Sequence, residues 1–150
     1  MGKIQLKIIT PERVLFDEDV DQVSLPTQQG EITVLPNHIP LITLLQAGEI
    51  QIVSKEKTTP MVISGGFTEV TGHKILILAD TAERIEEIDK ERAEEARKRA
   101  EEKLKDVRVD SQDYALLMSK VEKELARLRV WKKHRHRIDQ QGIGQKKYTE

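Results

Sequence analysis

Apolar and polar positions alternate along the first 80 residues, and then the period changes. Ile4, Leu6 and Ile8 are interleaved with Gln5, Lys7 and Ile9, and Val14-Leu15-Phe16 follows a turn at Pro11. Val20, Val23 and Leu25 lead to Pro26, after which Gly30 introduces Ile32-Thr33-Val34-Leu35. Further apolar runs occupy residues 41–45, 50–53, 61–63, 67–70 and 74–78, separated by Pro36-Asn37, Ala47-Gly48, Gly65-Gly66 and Thr71-Gly72. Short β-branched runs spaced by about ten residues predict an all-β sandwich or barrel. The absence of a helical period between them argues against a parallel α/β sheet.

From Asp80-Thr81 onward the pattern becomes helical. Residues 82–105 contain neither Gly nor Pro, and they predict one helix whose first amides Asp80 or Thr81 caps. Glu94 and Lys98, Glu95 and Arg99, and Glu101 and Lys105 stand four apart in the favourable order, each pair contributing about 0.3 kcal/mol. The opposite face carries Ala93, Ala96, Ala100, Leu104 and Val107, small enough for a second helix to approach closely. That second helix begins near Asp110-Ser111, with a seam of Tyr114, Met118, Val121, Leu125 and Leu128. The short linker over 106–110 predicts an antiparallel hairpin. Beyond Ile138 the periodicity is lost. The pattern therefore divides the chain into a β domain over 1–84, a helical hairpin over 85–138 and a flexible tail over 139–150: an α+β protein, mainly β.

Composition narrows the chemistry. The 150 residues include no cysteine, which excludes disulfides and thiolate metal sites. Aromatics make up 3%, so the core must be aliphatic. Met1 to Leu6 already alternate like a strand, which predicts no signal peptide, and no apolar run approaches the roughly 20 residues that span a bilayer. These features point to a soluble, intracellular chain. The net charge of −1 hides an asymmetry: residues 1–84 carry −4, residues 85–110 carry −2 and residues 111–150 carry +5. Opposite ends should meet different partners.

No catalytic constellation is visible. No serine occupies a Gly-x-Ser-x-Gly elbow, and Gly142-Ile143-Gly144-Gln145-Lys146 lacks the spacing of a phosphate loop and follows no strand. His134 and His136 stand two apart on a helix and point to different sides, so no metal site is expected. Arg127, Arg129, Lys132, Lys133, Arg135 and Arg137 form a basic strip without an acid among them. It is either a solvated helix end or a docking strip for an acidic surface; Trp131 alone offers no aromatic interleaving for bases, which disfavours nucleic acid. His38 lies between Pro36 and Pro40, a rigid loop in which it either bonds backbone or meets a partner. Asp89 and Arg92 share one helix face with Arg99. If the hairpin closes, Arg92, Arg99, Lys123 and Arg127 could converge on a polyphosphate, whereas the plainer reading is a set of exposed ion pairs.

Several separated motifs resemble the epsilon subunit family of bacterial F-type ATP synthases. They are Gly30-Glu31-Ile32-Thr33-Val34-Leu35-Pro36-Asn37-His38-Ile39-Pro40-Leu41, Ser64-Gly65-Gly66-Phe67-Thr68-Glu69-Val70, Leu78-Ala79-Asp80-Thr81-Ala82, Asp113-Tyr114-Ala115 and Leu128-Arg129-Val130. The resemblance spans about residues 3–131. It implies a ten-stranded β-sandwich followed by two antiparallel helices, in a non-catalytic rotor subunit without a required cofactor. The implied partners are the gamma subunit and c-ring for the sandwich, with Glu31 and His38 in loops at the ring contact, and alpha and beta for extended, inhibitory helices. Arg127 and the strip beyond it would face an acidic patch on beta. The implied location is peripheral, on the cytoplasmic face of the cell membrane. Ile88-Asp89-Lys90-Glu91-Arg92-Ala93 also resembles a pattern that marks a regulatory ATP site in some relatives, to which Glu83, Ile88, Asp89, Arg92, Ala93, Arg99, Lys123 and Arg127 correspond. Lysine at 123 supplies charge without a bidentate fork. The competing reading is a free-standing sandwich adaptor whose basic hairpin grips an acidic protein or RNA.

Overall fold

The computed structural model describes residues 2–146, with side-chain surroundings given through His136. The chain divides into two compact units, Met1–Glu83 and Arg84–Glu150. The first holds the strands β1 (Ile4–Ile9), β2 (Val14–Val20), β3 (Gln22–Thr27), β4 (Gly30–Val34), β5 (Leu41–Leu45), β6 (Gly48–Ser54), β7 (Lys57–Ile63), β8 (Gly66–Val70) and β9 (Lys74–Ala79), and β10 (Ala82–Arg84) runs out of it. They pair in the order β10-β7-β6-β3-β5-β8-β9-β1-β2, with β4 on the other side of β3. β1 and β9 pair in parallel. Between β3 and β5 a single pair, Thr27 opposite Leu45, holds the sheet together, and there it folds over into two layers.

Alternation explains what lies between the layers. Ile4, Leu6 and Ile8 of β1 face inward, as do Leu25 of β3, Ile50 and Ile52 of β6, Ile63 of β7, and Ile75 and Ile77 of β9. Each is fully buried, and such burial contributes about 1.5–3 kcal/mol per side chain. The core is aliphatic, as the composition requires.

Two turns depend on particular residues. Gly66 has φ +146, and a Cβ there would stand 2.1 Å from the Leu78 carbonyl oxygen, so β8 reaches β9 only because this side chain is absent. The β6–β7 hairpin turns through Lys55 and Glu56, at φ 51 and 64, where Asn-Gly is the usual choice. Asp21 holds that turn: its Oδ2 accepts from the Lys55 amide at 2.8 Å, and its other oxygen pairs with the Lys3 ammonium. These same two bonds, that to Lys3 the larger, hold the Asp21 carboxyl below its usual range. Asp21 is also the whole connection between β2 and β3, which the sequence does not mark with Gly or Pro.

The second unit opens differently from the sequence expectation. Residues 82–84 are not helical: they pair beside β7 as β10, and a single 3-10 turn, Ile85–Glu87, follows. Helix α1 spans Lys90–Leu104, and its cap is Asp89 rather than Asp80 or Thr81. The Asp89 carboxylate accepts from the Arg92 amide at 3.2 Å, while Ile88 before the cap and Ala93 within the first turns are both buried. That is a capped start with a hydrophobic staple. Helix α2 spans Gln112–Lys146, and Ser111 caps it through the Tyr114 amide at 3.1 Å. The helix continues past Ile138, and of the expected tail the last residues, 147–150, lie outside the described ones. Lys90 Nζ sits 4.9 Å from the centre of the Trp131 ring, and Lys103 and Val107 line one groove with Asp113 and Leu117. The two helices therefore pack antiparallel. Their seam differs from the expected one: Leu125 is 36% exposed, whereas Val121, Glu124, Ala126 and Val130 are buried. Burial follows a broad face with the 3.6-residue period rather than a narrow 3.5-residue stripe.

Two outcomes test this account. Gly66→Ala should lower unfolding free energy by about 2–4 kcal/mol in denaturant titrations, since the backbone must move. Asp21→Asn should destabilise the chain at neutral pH. A carboxyl with a depressed folded-state pKa stabilises above the ordinary Asp value of about 3.9, and that contribution fades as pH falls through the folded value. Melting curves of the two proteins should therefore converge in strong acid.

Candidate functional site

The hairpin gathers most of the residues expected to hold a nucleotide, but it engages several of them already. Asp89 and Arg92 form an ion pair, Arg92 Nε lying 3.6 Å from Asp89 Oδ2, with the Arg92 side chain 84% exposed. Ile88 and Ala93 are buried in the staple, so every fixed position of the Ile-Asp-x-x-Arg-Ala pattern has a local task in starting α1. Arg99 is exposed and Lys123 is half-buried. Arg127 is drawn inward, where its Nη1 donates to Glu124 Oε2 at 2.8 Å, the two side chains only 16% and 10% exposed. Glu83 is half-buried in β10.

The antiparallel register orders these groups. With Lys90 opposite Trp131, Arg92 falls level with Arg129, and Arg99 with Glu122. Arg92, Arg99, Lys123 and Arg127 are thus spread over the same two turns of each helix. Arg92 and Arg99 are seven apart and Lys123 and Arg127 four apart, so each pair shares a face of its helix. The strip beyond Arg127 is different in kind. Arg129, Lys132, Lys133 and Arg135 are exposed, Arg127 is not, and the Arg137 side chain lies outside the described residues.

On the sandwich, Glu31 and His38 stand at opposite ends of β4. Glu31 is exposed within the strand, not in a loop, because Gly30 at φ +120 closes the turn and Glu31 already pairs with Pro26. His38 lies in the β4–β5 loop, half-buried, its Nδ1 2.7 Å from the Ile39 carbonyl oxygen, to which it donates. Asn37, at φ 67, donates its amide to Gly72 and ties this loop to the β8–β9 turn.

One surface was not anticipated. Leu44 opposes Phe67, Phe67 opposes Leu78, Leu78 opposes Ile9, and Ile9 opposes Val14, all on the outer face. Leu44, Phe67 and Val14 are 56%, 41% and 52% exposed, and Ile42 beside them 73%. An exposed apolar row crossing five strands has the character of a surface that meets a partner. Its signal was present in residues 41–45, where Leu41-Ile42-Thr43-Leu44-Leu45 is apolar on both faces of a strand.

Comparison with known proteins decides the assignment. The family described as "ATP synthase, Delta/Epsilon chain, beta-sandwich domain" matches residues 3–85, and "ATP synthase, Delta/Epsilon chain, long alpha-helix domain" matches residues 86–132. The chain belongs to the ATP synthase delta/epsilon family. The ATP synthase epsilon chain of Chloroflexus aggregans is 46% identical over 132 residues, covering 88% of this chain and 94% of that protein. That of Herpetosiphon aurantiacus is 46% identical over 134 residues, covering 89% and 98%. Among solved structures, a chain of the Euglena gracilis mitochondrial ATP synthase (OSCP/F1/c-ring) superposes with a TM-score of 0.72 at 25% identity, over 84% of this chain and 79% of that one. A member of this delta/epsilon family is a non-catalytic, central-stalk subunit of the ATP synthase complex, which sets aside the free-standing adaptor. Among the described residues no helix is long and apolar enough to cross a membrane. In this family member α2 runs on to Lys146, past the last matched residue, 132.

The double use of Asp89 can be separated by mutation. Asp89→Ala should cost the hairpin about 1 kcal/mol and Asp89→Ser much less, since serine caps equally well. Circular dichroism melts check both.

Proposed function

We propose that this subunit turns with the rotor, its sandwich seated on gamma and the c-ring, and that its hairpin is a mobile brake on ATP hydrolysis. The complex would hold it at the cytoplasmic face of the membrane. The contrast in how the two units are cemented carries this reading. The sandwich core is built mostly of Ile, Leu and Val with Met61, whereas the buried apolar positions within the two helices are Ala93, Ala100, Val121, Ala126 and Val130. Alanine and valine bury less apolar area than isoleucine and leucine, so separating the helices costs less than opening the sandwich. The exposed row from Leu44 to Val14 supports a stalk-facing role for the sandwich, and the exposed Arg129, Lys132, Lys133 and Arg135 suit an acidic surface on beta.

Regulatory ATP is the second element of the proposal. It draws support from the Ile88-Asp89-Lys90-Glu91-Arg92-Ala93 pattern and from the cations Arg92, Arg99, Lys123 and Arg127 distributed over two turns. A ligand that binds only the closed hairpin stabilises it by about 2.7 kcal/mol at a hundredfold excess over Kd. That magnitude is enough to bias an arm so lightly cemented. ATP would act there as a regulatory ligand rather than as a substrate.

Removing residues 84–150 should raise ATP hydrolysis by the assembled complex severalfold; an unchanged rate would sink the brake. Calorimetry of the full chain with ATP should show binding that Arg92→Ala and Arg127→Ala each weaken about tenfold, the loss of one charged hydrogen-bonding group. No heat at millimolar ATP would remove the nucleotide from the proposal.

A further inference from the structure

In the middle of the hairpin two arginines and one carboxylate leave a hydrogen bond unmade. Glu124 is 7% exposed and accepts from Arg127 at 2.8 Å. Arg97 shares the inner face of α1 with Ala93 and Ala100, four residues after one and three before the other. Its Nε is buried and has no hydrogen-bond partner among the described residues. Arg97 stands seven residues after Lys90 and Glu124 seven before Trp131, so the Lys90–Trp131 contact puts them at one level. A buried guanidinium donor without an acceptor is unfavourable, and phosphate oxygens are the acceptors that its planar fork fits best.

We propose that a phosphate chain docks at this level, with Arg97 as a ligand-binding residue and Glu124 as the carboxylate it displaces from Arg127. The inference deepens the nucleotide reading above and rests on it for the identity of the physiological ligand. Its physical content is competition. A phosphate reaching Arg127 must either expel the Glu124 carboxylate or share a poorly hydrated space with it, and like charges at that separation repel. Glu124 therefore weakens anion binding and sets the concentration at which the hairpin responds. Arg97 works in the other direction, because its buried Nε has no acceptor among the described residues and gains one when an anion binds.

The test uses the full chain, with ATP and inorganic tripolyphosphate as probes. Affinity is read by calorimetry and by the fluorescence of Trp131, the single tryptophan. Glu124→Gln keeps the shape and should tighten both probes at least tenfold; Arg97→Lys keeps the charge but loses the fork and should weaken both at least tenfold. Changes below threefold in either variant overturn the proposal, and the nucleotide reading then survives if ATP still binds. Tripolyphosphate binding that shifts in both variants, with no binding of ATP, supports the phosphate site and overturns the nucleotide reading instead. Silence from both probes in all three proteins at millimolar concentration overturns both. Circular dichroism monitors folding, and should Arg97→Lys lose helicity, Glu124→Gln alone decides.

Discussion

The inner face of each strand must stay dry, and in the first 83 residues that single requirement dictates most of what else is possible. Ile4, Leu6 and Ile8 can turn inward together only if Gln5 and Lys7 turn outward, and a slip of one residue would reverse every strand. Register is thereby fixed across the sheet, and the outer face is left free to vary. It is against this fixed background that Ile42, Leu44 and Phe67 acquire meaning: they are apolar where the fold asks for nothing apolar. None of the three belongs to the buried core, so their exposed surface is available for a neighbour.

The strands were legible because alternation and turn residues agree. Residues 30–34, 41–45 and 74–79 could be placed from the sequence, since Gly30, Pro36-Asn37 and Thr71-Gly72 bracket them. What escaped was governed by contacts distant in sequence. Nothing local distinguishes Ala82-Glu83-Arg84 from a first helical turn; the free edge of β7 decides it. The break between β2 and β3 carries no Gly or Pro because a carboxylate-to-amide bond across 34 residues, from Asp21 to Lys55, does the work instead. The buried face of α2 is broader than its apolar spacing predicts because Arg127, one turn away, lets the Glu124 carboxylate go inside.

The pattern that suggested a nucleotide has a second reading, and the two are compatible. Ile88, Asp89, Arg92 and Ala93 satisfy the amide, carboxylate and apolar needs of a helix beginning, and any sequence starting a helix here would gain from them. This explains why such a pattern could persist with or without a ligand. Discrimination must come from residues with no task in folding α1. Lys123 on the other helix meets that condition, and Arg97 meets it more sharply, since its buried Nε without an acceptor among the described residues is unfavourable for folding alone.

The continuity of α2 has a mechanical consequence. Thirty-five residues in one unbroken helix make a rod about 52 Å long, hinged at its start by the short segment around Asp106 to Ser111. Tilting such a rod by ten degrees about that pivot carries its far end about 9 Å, a distance on the scale of a whole helix diameter. A lever of this length converts a slight loosening at the pivot into a large sweep at the tip, and it carries the basic stretch from Arg127 to Arg137 along with it.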